Sequence, residues 1–126
     1  PELIIPSELS MSAAYEAVAA FLKGTKNSPT AFIGVNDIVA IGAMQAIKDS
    51  GRRVPEDISV IGFDDIALAN EVTARLTTIR VNKEEMGKLS VSRLVELIKG
   101  KPVSFHKIVI NPSIVERDSV CERQGK

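Results

Sequence analysis

The sequence predicts an α/β fold, a doubly wound and mostly parallel sheet, and three observations carry that reading. Two runs, Ala31-Phe32-Ile33-Gly34-Val35 and Ile58-Ser59-Val60-Ile61-Gly62-Phe63, are apolar with little alternation, as strands covered on both faces are. Apolar stripes of helical period precede, separate and follow them. Glycine and proline punctuate the boundaries, at Gly24, Pro29, Gly51, Pro55, Gly100 and Pro102. Strands alternating with helices build right-handed βαβ units, and those build a parallel sheet.

Each element has its own justification. Leu3-Ile4-Ile5, stopped by Pro6, reads as a brief strand. Met11 to Lys23 reads as a helix, with Met11, Tyr15, Val18 and Leu22 on one stripe and Ser10 as its cap. Gly24 to Thr30 is a polar loop, and the first long strand follows it. Ile38, Ile41, Met44 and Ile47 carry a second helix as far as Gly51. The second long strand ends at Asp64-Asp65. Residues 66–75 are weakly patterned and lead into a third strand, Leu76-Thr77-Thr78-Ile79-Arg80-Val81. Asn82, with Glu85 three positions on, starts a helix to Lys99 in the manner of a capping box. Its stripe is Gly87, Val91, Leu94, Val95 and Ile98. Lys107 to Ile110 and Ile114 to Glu116 read as one strand interrupted at Pro112.

Composition narrows the function. The 126 residues fit one compact domain, with 44% hydrophobic and 25% charged residues. Sixteen Lys and Arg balance sixteen Asp and Glu, and the halves on either side of Phe63 differ only as −2 and +2. No net field attracts nucleic acid or anionic lipid. A single cysteine, Cys121, excludes an internal disulfide and a cysteine-based zinc site. No apolar run approaches the ~20 residues of a membrane span. As written the chain is expected in the cytoplasm. It opens directly into strand-like sequence, as a piece of a longer protein would.

In open α/β sheets, ligands bind beyond the carboxyl ends of the strands. Two strands end there in polar pairs, Asn36-Asp37 and Asp64-Asp65. Asn36 donates and accepts hydrogen bonds, while an ionised Asp64 accepts only, which suits a polyol hydroxyl or the N–H edge of a base. The plainer alternative is that Asn36 or Asp37 caps the following helix and Asp64 belongs to a turn. An enzyme reading uses Asp37, Asp64 and Asp65 to hold Mg²⁺ for phosphoryl transfer, but no lysine lies in either strand-end segment. His106 is the only histidine and reads as a surface residue, and Cys121 as an incidental thiol. No G-x-G spacing or G-K-[ST] motif is present, so neither dinucleotide nor P-loop nucleotide binding is encoded. No catalytic residue, resident metal or cofactor is expected. Aromatic residues are only 4%, offering little stacking surface for a sugar, and Phe63 is assigned to the core.

Specific residues resemble a known family. The run from Ala31 to Met44, then Gly51 and Val54 to Asp65, is similar to the effector-binding region of LacI/GalR-type transcriptional repressors. The similarity continues through Leu76-Thr77-Thr78-Ile79, Met86-Gly87 and Ile114-Val115-Glu116-Arg117-Asp118-Ser119, covering nearly the whole chain. The resemblance implies the C-terminal lobe of a periplasmic-binding-protein-like fold, whose two lobes close on a small effector such as a sugar or purine. It implies effector contacts at Asn36 and Asp64. It also implies a homodimer interface along the helix from Ile38 to Lys48, with Ile41, Met44 and Gln45 as candidate positions, and along the segment after Asp65.

On this basis residues 1–81 are expected to form an incomplete C-terminal lobe, and 82–106 a crossover segment that belongs to the other lobe in the intact family. Residues 107–120 are the returning strand and 121–126 a polar tail. Operator DNA would be reached only through an N-terminal headpiece absent from these residues, and no membrane partner is expected. A strand usually inside the sheet is absent before Pro1, so a gap is expected there. The stripe of the 82–99 helix would lack its host sheet and dock on another copy or on an unexpected surface of this one. Two alternatives remain: an exported sugar-binding protein of a transport system, which shares the fold, and the Mg²⁺-dependent phosphotransfer domain. The Leu76-Thr77-Thr78 and Glu116-Arg117-Asp118-Ser119 elements resemble the regulators.

Overall fold

Ser10 begins the first helix as its sequence position demands: its hydroxyl accepts the Ala13 N–H at 3.2 Å, satisfying one of the orphan donors of the first turn. The computed structural model describes residues 3–25, 29–100 and 106–122. Its elements are α1 (Met11–Gly24), β1 (Ala31–Ile33), α2 (Asp37–Asp49), β2 (Ser59–Phe63), a 3-10 turn (Ala67–Asn70), β3 (Thr77–Arg80), α3 (Lys83–Ile98) and β4 (Ser113–Val115). The expected loop after Gly24, the stop at Pro102 and the polar tail fall partly outside the described residues.

The strands lie in chain order, β1-β2-β3-β4. β1, β2 and β3 are parallel, with Ile33 opposite Ile61 and Gly62 opposite Thr78. β4 returns antiparallel to β3, Ile79 facing Ile114. This is the α/β, mostly parallel sheet that the alternation predicted.

Beneath β1 and β2 the core is built from Val18 and Leu22 of α1, Ala40, Ile41, Met44 and Ile47 of α2, and Ile58, Val60 and Leu76. α1 and α2 pack closely because residue 42 is glycine. A Cβ there would run into the Met11 carbonyl oxygen and come within 3.1 Å of the Ala14 Cβ. Phe21 of α1 meets Phe32 of β1 edge-to-face, with ring centroids 6.2 Å apart.

Several expectations are corrected here. Residues 3–5 form no strand, because Pro6 follows at once and no neighbouring strand offers them a ladder. β1 therefore stands at a sheet edge: Ile33 is 83% exposed, and an apolar cavity of about 290 Å³ opens beside it, lined by Ile5, Phe21, Phe32 and Val39 among others. The expected gap stays open among the described residues. Residues 107–112 run without strand pairing, so only Ser113–Val115 of the interrupted strand joins the sheet. Phe63 is 39% exposed rather than core: it is the last residue of β2, and the chain enters the Asp64-Asp65 turn directly after it.

α3 begins as a capping box: Asn82 accepts the Glu85 N–H at 3.1 Å, and its amide nitrogen donates to the Glu85 carboxylate at 2.9 Å. None of its residues is buried. Met86, Leu94, Val95 and Ile98 are all exposed, so this face docks on no other part of the described residues.

Candidate functional site

The carboxyl ends of β1 and β2 share one edge of the sheet. The Gly34 N–H donates to the Ile61 carbonyl at 2.9 Å, so residues 36 and 64 each lie three positions beyond a paired strand residue. Parallel neighbours sit about 4.8 Å apart. The sequence-predicted pair is thus brought to one edge.

Asn36 does cap α2. Its Oδ1 accepts the Val39 N–H at 2.9 Å. Capping occupies the oxygen only, and the half-buried side chain keeps its Nδ2 group without a partner among the described residues. Both readings of Asn36 are compatible, because a donor is left over.

Asp64 is half-buried and sits in a turn with φ 112°. Asp65 follows at φ 49°. Such backbone is rare for residues with a Cβ and costs of order 1–3 kcal/mol each, so it persists only where its surroundings enforce it. The Asp64 N–H donates to Ile79 at 2.9 Å, and its carbonyl accepts from Lys83 Nζ at 2.5 Å. Its carboxylate takes no partner among the described residues. A free acceptor therefore stands on the same edge as the free Asn36 donor.

The neighbouring acids are fully engaged within the protein. Asp65 accepts from Arg117 Nη2 at 2.6 Å and from Arg80 Nε at 2.5 Å. Burial pushes its carboxyl up, but the two guanidiniums outweigh that and hold it below its ordinary value. Asp37 is the first residue of α2 and is wholly buried. It accepts the Ile66 N–H at 2.8 Å and the Thr78 hydroxyl at 2.5 Å. Residue 62 has to be glycine for this, since a Cβ would strike the Asp37 carboxylate. Asp37 is therefore not the cap. The three carboxylates that the Mg²⁺ alternative would use have separate surroundings, and no group of three or more His, Cys, Asp and Glu side chains among the described residues is arranged to hold a metal.

The Glu116-Arg117-Asp118-Ser119 ending stitches the site from below. Arg117 also donates to the Leu76 carbonyl at 2.7 Å, and Asp118 pairs with Arg75 at 2.8 Å. Ser119, fully buried, donates to the Val60 carbonyl at 2.6 Å and accepts the Thr77 N–H at 2.8 Å, joining β2 to β3. Sequence reasoning singled out this ending but missed the Asp65–Arg117 pair. Opposite charges 52 residues apart leave no local signal.

Of the three candidate interface positions, Ile41 and Met44 are packed in the chain's own core. Their stripe faces α1 and the sheet, which removes both from any exposed contact surface. Gln45 alone is exposed, donating to Asp49 at 2.8 Å. His106 is exposed beside Arg93, at 3.2 Å, and Cys121 is exposed. Among the described residues no helix is long and apolar enough to cross a membrane.

Residues 3–120 match the family described as the periplasmic binding protein-like domain. The chain belongs to this family. Within it, the resemblance is to regulators of the LacI family. The chain is 41% identical over 124 residues to the HTH-type transcriptional repressor PurR of Aliivibrio fischeri, covering 98% of this chain and 37% of that protein. A LacI family transcriptional regulator from Arthrobacter sp. FB24, solved in complex with lactose, superposes with TM-score 0.82 at 36% identity, over 90% of this chain and 42% of that one. The lac repressor dimer, solved bound to operator and an anti-inducer, gives TM-score 0.82 at 34% identity, over 90% of this chain and 39% of that one. The chain thus spans little more than a third of the length of the curated relative it matches. These relatives are transcriptional regulators.

Proposed function

We propose that these residues are the effector-sensing part of a DNA-binding transcriptional regulator, most simply a repressor acting in the cytoplasm, and that the effector is a small neutral molecule of the sugar class. The observation that supports this best is the pair of unspent polar groups at one sheet edge: the Asn36 Nδ2 donor and the Asp64 carboxylate. A sugar hydroxyl both donates and accepts, so one ring edge satisfies both groups. The lactose bound to the Arthrobacter relative is of this chemistry.

Residues 82–106 would then belong to a second lobe, which explains the exposed apolar face of α3. Operator contact would be made by a headpiece outside these residues, and the working unit would be a homodimer, as the lac repressor is. Effector would favour one lobe orientation, and only its difference in affinity between orientations shifts DNA binding.

The test is operator release, followed by fluorescence anisotropy, from the regulator that contains these residues, against a panel of neutral sugars and purine bases. Release by a sugar that Asp64→Ala abolishes, with operator affinity unchanged, supports the reading. Release that survives Asp64→Ala unaltered makes Asp64 a turn residue only.

A further inference from the structure

The Asp37 carboxylate is completely buried, and the proposed effector contacts do not involve it. Both of its hydrogen-bond partners among the described residues are neutral: the Ile66 N–H at 2.8 Å on Oδ2 and the Thr78 hydroxyl at 2.5 Å on Oδ1. Burying a carboxylate with no cation beside it is unfavourable unless its hydrogen bonds are well made. Helix capping does not account for it, because the Asn36 Oδ1 already performs that task.

Three segments meet at this carboxylate. Asp37 follows Asn36 directly at the start of α2. Ile66 closes the left-handed Asp64-Asp65 turn on its downstream side. Thr78 lies on β3 opposite Gly62, and its Oγ1 also accepts the Asp65 N–H at 3.4 Å. The absent side chain at Gly62 lets the carboxylate reach across β2 to β3.

We propose that Asp37 is a positioning residue: through the Ile66 amide and the Thr78 hydroxyl it fixes Asp64 relative to Asn36, while touching no effector itself. This rests on the reading of Asn36 and Asp64 as the effector contacts. The turn that carries Asp64 is strained and needs holding at both ends. Ile79 holds the Asp64 end through its carbonyl, and Asp37 holds the other.

The test is amide hydrogen exchange by NMR on the 126-residue chain, comparing wild type with Asp37→Ala, Asp37→Asn and Thr78→Val. In Asp37→Ala the Ile66 amide should exchange at least about tenfold faster, as expected for losing a charge-assisted bond. The Asp64 and Asp65 amide resonances should move with it. The Gly34 and Ser59 amides, bonded to Ile61 and Thr30, should stay protected. Asp37→Asn should restore much of the Ile66 protection, since its oxygen still accepts from Ile66 and its NH₂ donates to Thr78. An Ile66 rate within about twofold of wild type, or a rise shared equally by Gly34 and Ser59, overturns the proposal. Should Asp37→Ala fail to fold, Thr78→Val decides: a selective rise at Ile66 supports the role, and an unchanged or uniform one overturns it. No effector enters this readout. Its failure leaves the sugar reading standing, and failure of Asp64→Ala in operator release leaves the exchange result intact.

Discussion

Arg117 and Asp65 form an ion pair of 2.6 Å across 52 residues of sequence, and each side chain is only 12% exposed. Through this pair the returning segment after β4 clamps the turn that bears Asp64. Arg117 also reaches the Leu76 carbonyl at 2.7 Å, so one guanidinium ties together the turn, the start of β3 and the chain's last described stretch. Replacing Arg117 by Ala should lower unfolding stability by about 2 kcal/mol, since hydrogen bonds to charged groups contribute at that level. Urea denaturation measures it, as a lower midpoint at unchanged slope. An unchanged midpoint would mean that the clamp is not closed in solution.

The same pair sets an acid limb. Asp65 titrates below its ordinary value of 3.8 when folded. A carboxyl depressed by folding stabilises the fold above its unfolded pKa, and that contribution fades as pH falls through the depressed value. Without Arg117, burial acts on Asp65 against Arg80 alone, the depression shrinks, and the fold enters the acid range with less stability to lose. Acid unfolding followed by circular dichroism should therefore begin at higher pH in Arg117→Ala than in wild type. Coincident acid limbs would contradict this.

Gly62→Ala should destabilise the protein although no contact is deleted. The new Cβ meets the Asp37 carboxylate and lies 2.9 Å from a Leu76 methyl carbon, and crowding of this kind costs roughly 1–3 kcal/mol. Thermal melts would show it as a lower Tm. Tolerance at wild-type Tm would mean that Asp37 sits elsewhere in solution.

What the sequence displayed, and what it hid, follows from range. Periodicity and capping act within a few residues, so α1, α2 and α3 were legible nearly to their ends, as was the Asn82–Glu85 box. The placement of Asn36 and Asp64 just beyond the carboxyl ends of β1 and β2 was legible because a polar pair ending an apolar run is a local pattern. Three features were not. Apolar residues 3–5 look like a strand, but pairing depends on a neighbour the pattern cannot show. The stripe on α2 identified a packed face without saying what packs on it, and for Ile41 and Met44 that is the chain's own core. The roles of Asp37 and Asp65 depend on Thr78 and Arg117, partners 41 and 52 residues away.

α3 offers a contrast between stripe and burial. Leu94 is 56% exposed, whereas Ile47 is fully buried in the core. Ile47→Ala should lower stability by about 2–5 kcal/mol through the cavity it leaves. Leu94→Ala should stay within about 0.5 kcal/mol of wild type, as surface substitutions do. Urea titrations of both variants at low protein concentration check this. A Leu94→Ala loss comparable with that of Ile47→Ala would mean that α3 is packed against something in solution.

The most direct measurement is calorimetric. In the regulator that contains these residues, the sugar that releases operator should be titrated into wild type, Asn36→Ala and Asp64→Ala. Each substitution removes one of the two unspent polar groups at the sheet edge and should weaken binding by about tenfold or more, in line with hydrogen bonds to a neutral ligand in a partly desolvated site. Affinities within about twofold of wild type in both variants would contradict effector binding at this edge.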